Sequence, residues 1–114
     1  MPEEARTDPA ALDADALFHL ATPEEWAAAQ DQGEIRPPSL DTEGFVHCSW
    51  GSQVAGAVAK HFDGVTELVA LRLDPDSLGE VDLVEEDSYD SGQAFPHAYG
   101  PIPVAAVVEV TRLR

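Results

Sequence analysis

The stretch that most constrains this chain is Gly44-Phe45-Val46-His47-Cys48-Ser49. It reads as a strand. Side chains alternate faces along a strand with period two, so Phe45, His47 and Ser49 share one face and Val46 and Cys48 the other. The second face is apolar and belongs against a core. The first carries an imidazole and a hydroxyl at the strand's end, immediately before a helix. Two more histidines sit in comparable patterns, His19 in Leu17-Phe18-His19-Leu20-Ala21-Thr22 and His97 in Phe95-Pro96-His97-Ala98-Tyr99-Gly100. The expectation is that these three segments converge on one pocket.

The rest of the chain bounds what can surround that pocket. At 114 residues, 44% of them hydrophobic, the chain suggests one domain with a core of its own. Cys48 is the one cysteine, so an intrachain disulfide is excluded and a reducing cytoplasm is expected. Met1-Pro2-Glu3-Glu4 opens no apolar run, so no signal peptide is expected, and no stretch approaches the roughly 18 apolar residues that a membrane span needs. The formal charge of −16, from 22 acidic and 6 basic residues, repels phosphate backbones and argues against nucleic acid as a partner. Nothing in the pattern identifies a protein partner. The acidity otherwise reads as solubility.

Residues 1–15 are acidic, Pro- and Ala-bearing and aperiodic, and are expected to be a disordered arm before a domain over 16–114. Residues 16–21 form a short strand, with Phe18 and Leu20 toward the core and Leu17, His19 and Ala21 on the other side. Thr22-Pro23-Glu24-Glu25 starts a helix: Thr22 caps, Pro23 takes the first helical position and Glu25 closes a capping box. Gly33 stops that helix. Arg36-Pro37-Pro38-Ser39 is expected to be irregular, since two prolines remove donors. Ser49 or Ser52 caps a second helix from about Trp50 to Phe62, with Val54, Val58 and Phe62 at four-residue spacing and Ala55 and Ala59 beside them. Strands are expected over Glu67–Leu73, Val81–Glu85 and Val104–Leu113, with a polar loop at 87–92 and a rigid turn through Pro96, Gly100, Pro101 and Pro103. This order implies a single α+β domain, with a mixed or split antiparallel-rich sheet and two main helices.

Each candidate residue also has an ordinary structural use. His61, beside Phe62, reads as structural. Three histidines with Glu85 would suit zinc, yet no two ligands stand at short local spacing, so no metal site is assigned. Cys48 faces the core, where a thiol is inert. Ser49 shares a face with His47, but helix capping explains it. His97 and Tyr99 either pin a turn or are presented by it to a ligand. Glu85 and Glu86, at a strand end, are solvated surface or a carboxylate that steadies a cationic transition state.

The span from Leu17 to about Arg112 resembles the bacterial domain-of-unknown-function family 952, through FHLA, the Trp26 helix, GFVHCS with Gln53 behind it, the Glu85/Glu86 region and FPHAYGPI. More remotely, Phe18-His19-Leu20-Ala21-Thr22 and Val46-His47-Cys48-Ser49 resemble, in order and spacing, the Tyr-His-Gly-Thr and Val-His-Leu-Ser strands of the ADP-ribosyltransferase superfamily, its RNA 2'-phosphotransferase branch above all. That resemblance implies a split sheet gripping NAD as substrate, with His19 on the nicotinamide-side ribose. Leu20 replaces the glycine after the first histidine, and the arginines that would hold an RNA phosphate have no counterpart. The readings carried forward are therefore three. One is an ADP-ribosyltransferase-like enzyme with His19, His47, Glu85 and Glu86 as catalytic candidates. The second is a module binding a nucleotide or other small ligand in the same cleft, with Thr22, Ser49, Gln53, His97 and Tyr99 as contacts. The third is a metal-dependent hydrolase.

Overall fold

The chain doubles back early and often, and its elements are short. In the computed structural model, which describes residues 6–87 and 92–114, strand β1 (Leu17–Ala21) runs into helix α1 (Pro23–Gln32), strand β2 (Glu34–Ile35) and helix α2 (Pro38–Thr42). Strands β3 (Val46–His47) and β4 (Ser49–Trp50) then lead into helix α3 (Gly51–His61). Strands β5 (Val69–Leu73), β6 (Asp82–Glu86), β7 (Phe95–Tyr99), β8 (Ile102–Pro103) and β9 (Val107–Arg112) complete the chain. The strands form a four-stranded sheet in the order β4-β1-β5-β9, a three-stranded sheet β3-β7-β6 and a two-stranded ribbon β2-β8, each pairing antiparallel. The α+β class and the split sheet agree with the sequence reading. Among the described residues no helix is long and apolar enough to cross a membrane.

The expected single strand over 44–49 is in fact two, broken at Cys48. Val46 and His47 pair with Ala98 and His97 of β7, while Ser49 and Trp50 pair with Phe18 and Leu17 of β1. Between them the Cys48 N–H donates to the Pro96 carbonyl at 3.0 Å. The chain thus leaves one sheet and enters the other within one residue, which tethers the two sheets on the side where His47 and Ser49 lie.

Strand β1 is buried on both faces, not on one. Leu17 and Ala21 pack with Val69, Leu71, Val46 and Ile102 on one side. Phe18 and Leu20 pack with Ala70 and with Val54, Ala57 and Val58 of α3 on the other. Full burial of a side chain such as Phe18 contributes about 1.5–3 kcal/mol. The buried stripe of α3 is Val54, Ala57 and Val58, and Ala55 and Ala59 point to solvent.

Three further local expectations change. The arm expected over 1–15 lies partly outside the described residues, but from Arg6 onward it is docked rather than free. Asp8 caps a 3₁₀ turn over Pro9–Ala11, Thr7 N–H bonds the Arg112 carbonyl at 2.8 Å, and the Ala14 and Ala16 carbonyls accept the Ser52 and Gly51 N–H groups at 3.2 and 2.8 Å. Those carbonyls, not Ser49 or Ser52, close the start of α3, together with Gln53, whose Oε1 accepts the Trp50 N–H at 3.0 Å. Pro37-Pro38 opens α2, because Pro38 occupies a first-turn position whose N–H would have no partner anyway. Phe95–Tyr99 is the central strand of its sheet rather than a turn. Pro96 is tolerated there because its carbonyl meets Cys48 beyond the end of β3, and in a strand the missing N–H lies on that same side, so the ladder with β6 loses no bond. The loop expected over 87–92 lies mostly outside the described residues.

Candidate functional site

His19 stands in the middle of β1 and is 6% exposed. Its Nδ1 lies 2.7 Å from the His47 carbonyl oxygen. A carbonyl only accepts, so Nδ1 carries the proton and Nε2 is left with a lone pair. Burial pushes the His19 pKa below its ordinary value, outweighing the opposing pull of the carbonyl and of Glu25. Among the described residues no buried side-chain nitrogen or oxygen lacks a partner. His19 bonds through Nδ1, so Nε2 is the ring nitrogen left open on a residue that lines a cleft.

That cleft has a volume of about 280 Å³. It is lined by His19 and Leu20 of β1, by His47, Cys48 and Ser49, by Pro37, Pro38 and Ser39 at the start of α2, by Ala57, His61 and Phe62 in α3 and at its end, and by Glu25 and Phe95. A smaller cavity of about 130 Å³ shares His19, Glu25, Pro37 and Pro38 with it and extends past Trp26 to Arg36. His19 stands where the two meet.

His47 links the cleft to the second sheet. Its backbone carbonyl fixes His19, and its Nε2 donates to the Glu43 carboxylate at 2.7 Å. Its ring meets the edge of Phe45 at 4.8 Å between centroids and that of His97 at 5.2 Å. Phe45 in turn stacks flat on His97, 3.9 Å apart and 8° from parallel. His97 is buried, and its Nδ1 lies 3.0 Å from Glu86 Oε1, which also accepts the Tyr99 hydroxyl. These bonds to Tyr99 and His97 hold the Glu86 carboxyl below its usual range, and the carboxylate raises the Tyr99 pKa. His61 is pulled below its ordinary value by burial, then by Lys60 and His47. The Cys48 thiol, although it touches the cleft, is pushed up to about 12 by burial.

The expected site residues therefore divide. His19, His47 and Ser49 come together on one cleft. His97, Tyr99 and Glu86 form a separate polar cluster behind Phe45. Glu85 accepts the Trp50 indole N–H at 2.8 Å. Thr22 caps α1, accepting the Glu25 N–H at 3.1 Å, and Gln53 reaches from Trp50 to the Ala94 carbonyl at 2.7 Å. None of these six lines the cleft. The sequence reading assigned no pocket role to Glu25, Glu43 or His61. Glu43 lies four residues before His47, a spacing that signals pairing on a helix; here the chain has left α2 and the pair forms through a turn. At the helix starts, α1 carries its capping box, and the first two N–H groups of α3 are taken by the Ala16 and Ala14 carbonyls. Among the described residues no three His, Cys, Asp or Glu side chains converge to hold a metal ion.

Fold and site together define a small α+β protein with two tethered antiparallel sheets and an imidazole-edged cleft between them. The chain belongs to the family described as Protein of unknown function (DUF952), whose model matches residues 20–110. Its structure is similar to the crystal structure of protein CC0527 from Caulobacter crescentus, with 35% identity, a TM-score of 0.75 and coverage of 85% of this chain and 84% of that one. The solution structure of CC0527 is also similar, with 36% identity, a TM-score of 0.70 and coverage of 84% and 82%. No curated protein matches the chain.

Proposed function

We propose that this protein binds a small organic ligand in the cleft beside His19, without turning it over. The observation that carries this reading is the His19 tautomer: Nδ1–H is held by the His47 carbonyl, so Nε2 is a fixed, neutral acceptor on a residue that lines a cleft of about 280 Å³. Ligand sites are concave and mostly apolar, with a few convergent polar groups, and Leu20, Pro37, Pro38, Phe62 and Phe95 provide such walls. The single thiol, buried and unreactive, fits a reducing cytoplasm, and the net charge of −16 argues against nucleic acid as the partner.

An ADP-ribosyltransferase-like activity on NAD is the second reading, favoured by one observation: His19 and His47 edge the same cleft, as the resemblance of their two segments implies. It is the weaker reading because Glu85 and Glu86 are engaged by Trp50 and by Tyr99 and His97, away from the cleft. The oxocarbenium-like transition state would then depend on Glu25.

Titration with adenosine, NAD and simple monocyclic heterocycles, followed through the His19 and His47 ring protons, tests both. Ring shifts without release of nicotinamide support the binding module. Release of nicotinamide from NAD that His19→Gln abolishes would replace it with the transferase. Ring protons that stay still with every compound would refute a ligand in this cleft.

A further inference from the structure

The charges along the cleft narrow its ligand further, an argument that rests on the cleft being a binding site. Among the described residues Glu25 brings the one permanent charge to the larger cavity, and no Lys or Arg lines it. In the smaller cavity Glu25 and Glu34 outnumber Arg36, whose guanidinium is already tied to Glu34 at 2.8 Å. Lys60 neighbours His61 in sequence but does not line either cavity. The Glu25 N–H at the start of α1 and the Gly51 and Ser52 N–H groups at the start of α3 are taken. An anion entering here would give up water beside a carboxylate with no Lys or Arg to compensate it. Meanwhile His19 offers an acceptor through Nε2, and Glu25 is near enough to act electrostatically on His19. The ligand must therefore bring a donor. The space is set too: a dry cavity of roughly 150 Å³ holds benzene, so about 280 Å³ admits one substituted ring.

We infer that the cleft takes a small cationic ring compound, a single aromatic or heteroaromatic ring bearing a positively charged N–H group, with that N–H on His19 Nε2 and the charge facing Glu25. Benzamidine, benzamide and benzoate test this, because they share a ring and differ in charge. Each is titrated into the full chain by calorimetry, with the His19 ring protons followed by NMR. Benzamidinium is expected to bind tightest and benzoate at least about tenfold more weakly. Glu25→Gln should bring benzamidinium to the affinity of benzamide; Gln also closes a capping box, so α1 is kept. Benzoate binding as well as benzamidinium, or Glu25→Gln leaving benzamidinium unaffected, would overturn the charge assignment while leaving the cleft a binding site. If adenosine moves the His19 protons and none of the three probes does, the inference falls and the binding reading stands. If adenosine and all three probes leave them unmoved, both fall.

Discussion

A substitution of His19 by glutamine separates its role in the fold from its titration. Gln can still donate an amide N–H to the His47 carbonyl, but it has no proton to gain. Native His19 is held neutral, with a pKa below 6.5, chiefly by burial. The unfolded chain therefore binds the extra proton first as pH falls. Stability owed to this neutrality is fully present above pH 6.5 or so, and is lost as pH drops toward the folded value. If His19 stayed neutral throughout, the loss between roughly pH 7.5 and pH 5.5 would be about 1.4 kcal/mol. The effect must be read as a difference between native protein and variant, because the charge of −16 relaxes over the same range and acts in the opposite direction. With urea m-values of about 1–3 kcal/mol/M, the midpoint of the native protein should fall relative to His19→Gln by up to roughly 0.5–1.4 M between the two pH values. Parallel midpoints, or a native protein that gains on the variant as pH falls, would refute the account of His19 as a buried neutral acceptor.

Two other perturbations test the frame around the cleft. A Cβ on Gly51 would overlap the Asp13 carbonyl oxygen, so Gly51→Ala must push the 13–16 segment off α3 and should cost about 1–3 kcal/mol, while Gly56, whose added Cβ meets nothing, should gain about 0.4–1 kcal/mol as Ala; thermal melts in which the two variants shift alike would contradict the docked arm. The Cys48 thiol, pushed up to about 12, should react with a disulfide reagent at mildly alkaline pH only as fast as the protein opens, and a burst of reaction in folded protein would show that it is accessible.

How much of this could be read in the residues depends on the range of the interaction. The start of α1 was legible because a capping box is complete within four residues, and Thr22, Pro23 and Glu25 each occupy the place assigned to them. The alternation in β5 was legible because Leu68 and Ala70 meet one core while Val69, Leu71 and Leu73 meet the other. Residues 6–15 were misread because their order comes from backbone groups. Their carbonyls close the start of a helix that lies far along the chain, and no side-chain pattern records that.

The cleft shows the same limit at its centre. Period-two alternation places His47 and Ser49 on one side, and both do edge the cleft, but not because they share a strand. They share it because the chain changes sheets at Cys48, where its N–H follows the Pro96 carbonyl while Ser49 has already joined β1. The His47 carbonyl points away from β7, because Cys48 and Pro96 form the hydrogen-bonded pair beside it, and β3 is the edge of its sheet. His19 Nδ1 takes that carbonyl. The fixed tautomer of His19 is thus a consequence of an edge strand whose outward carbonyl meets β1. A pattern of alternating side chains carries no information about which sheet a backbone carbonyl serves, so the histidines were visible in the sequence and the bond between them was not.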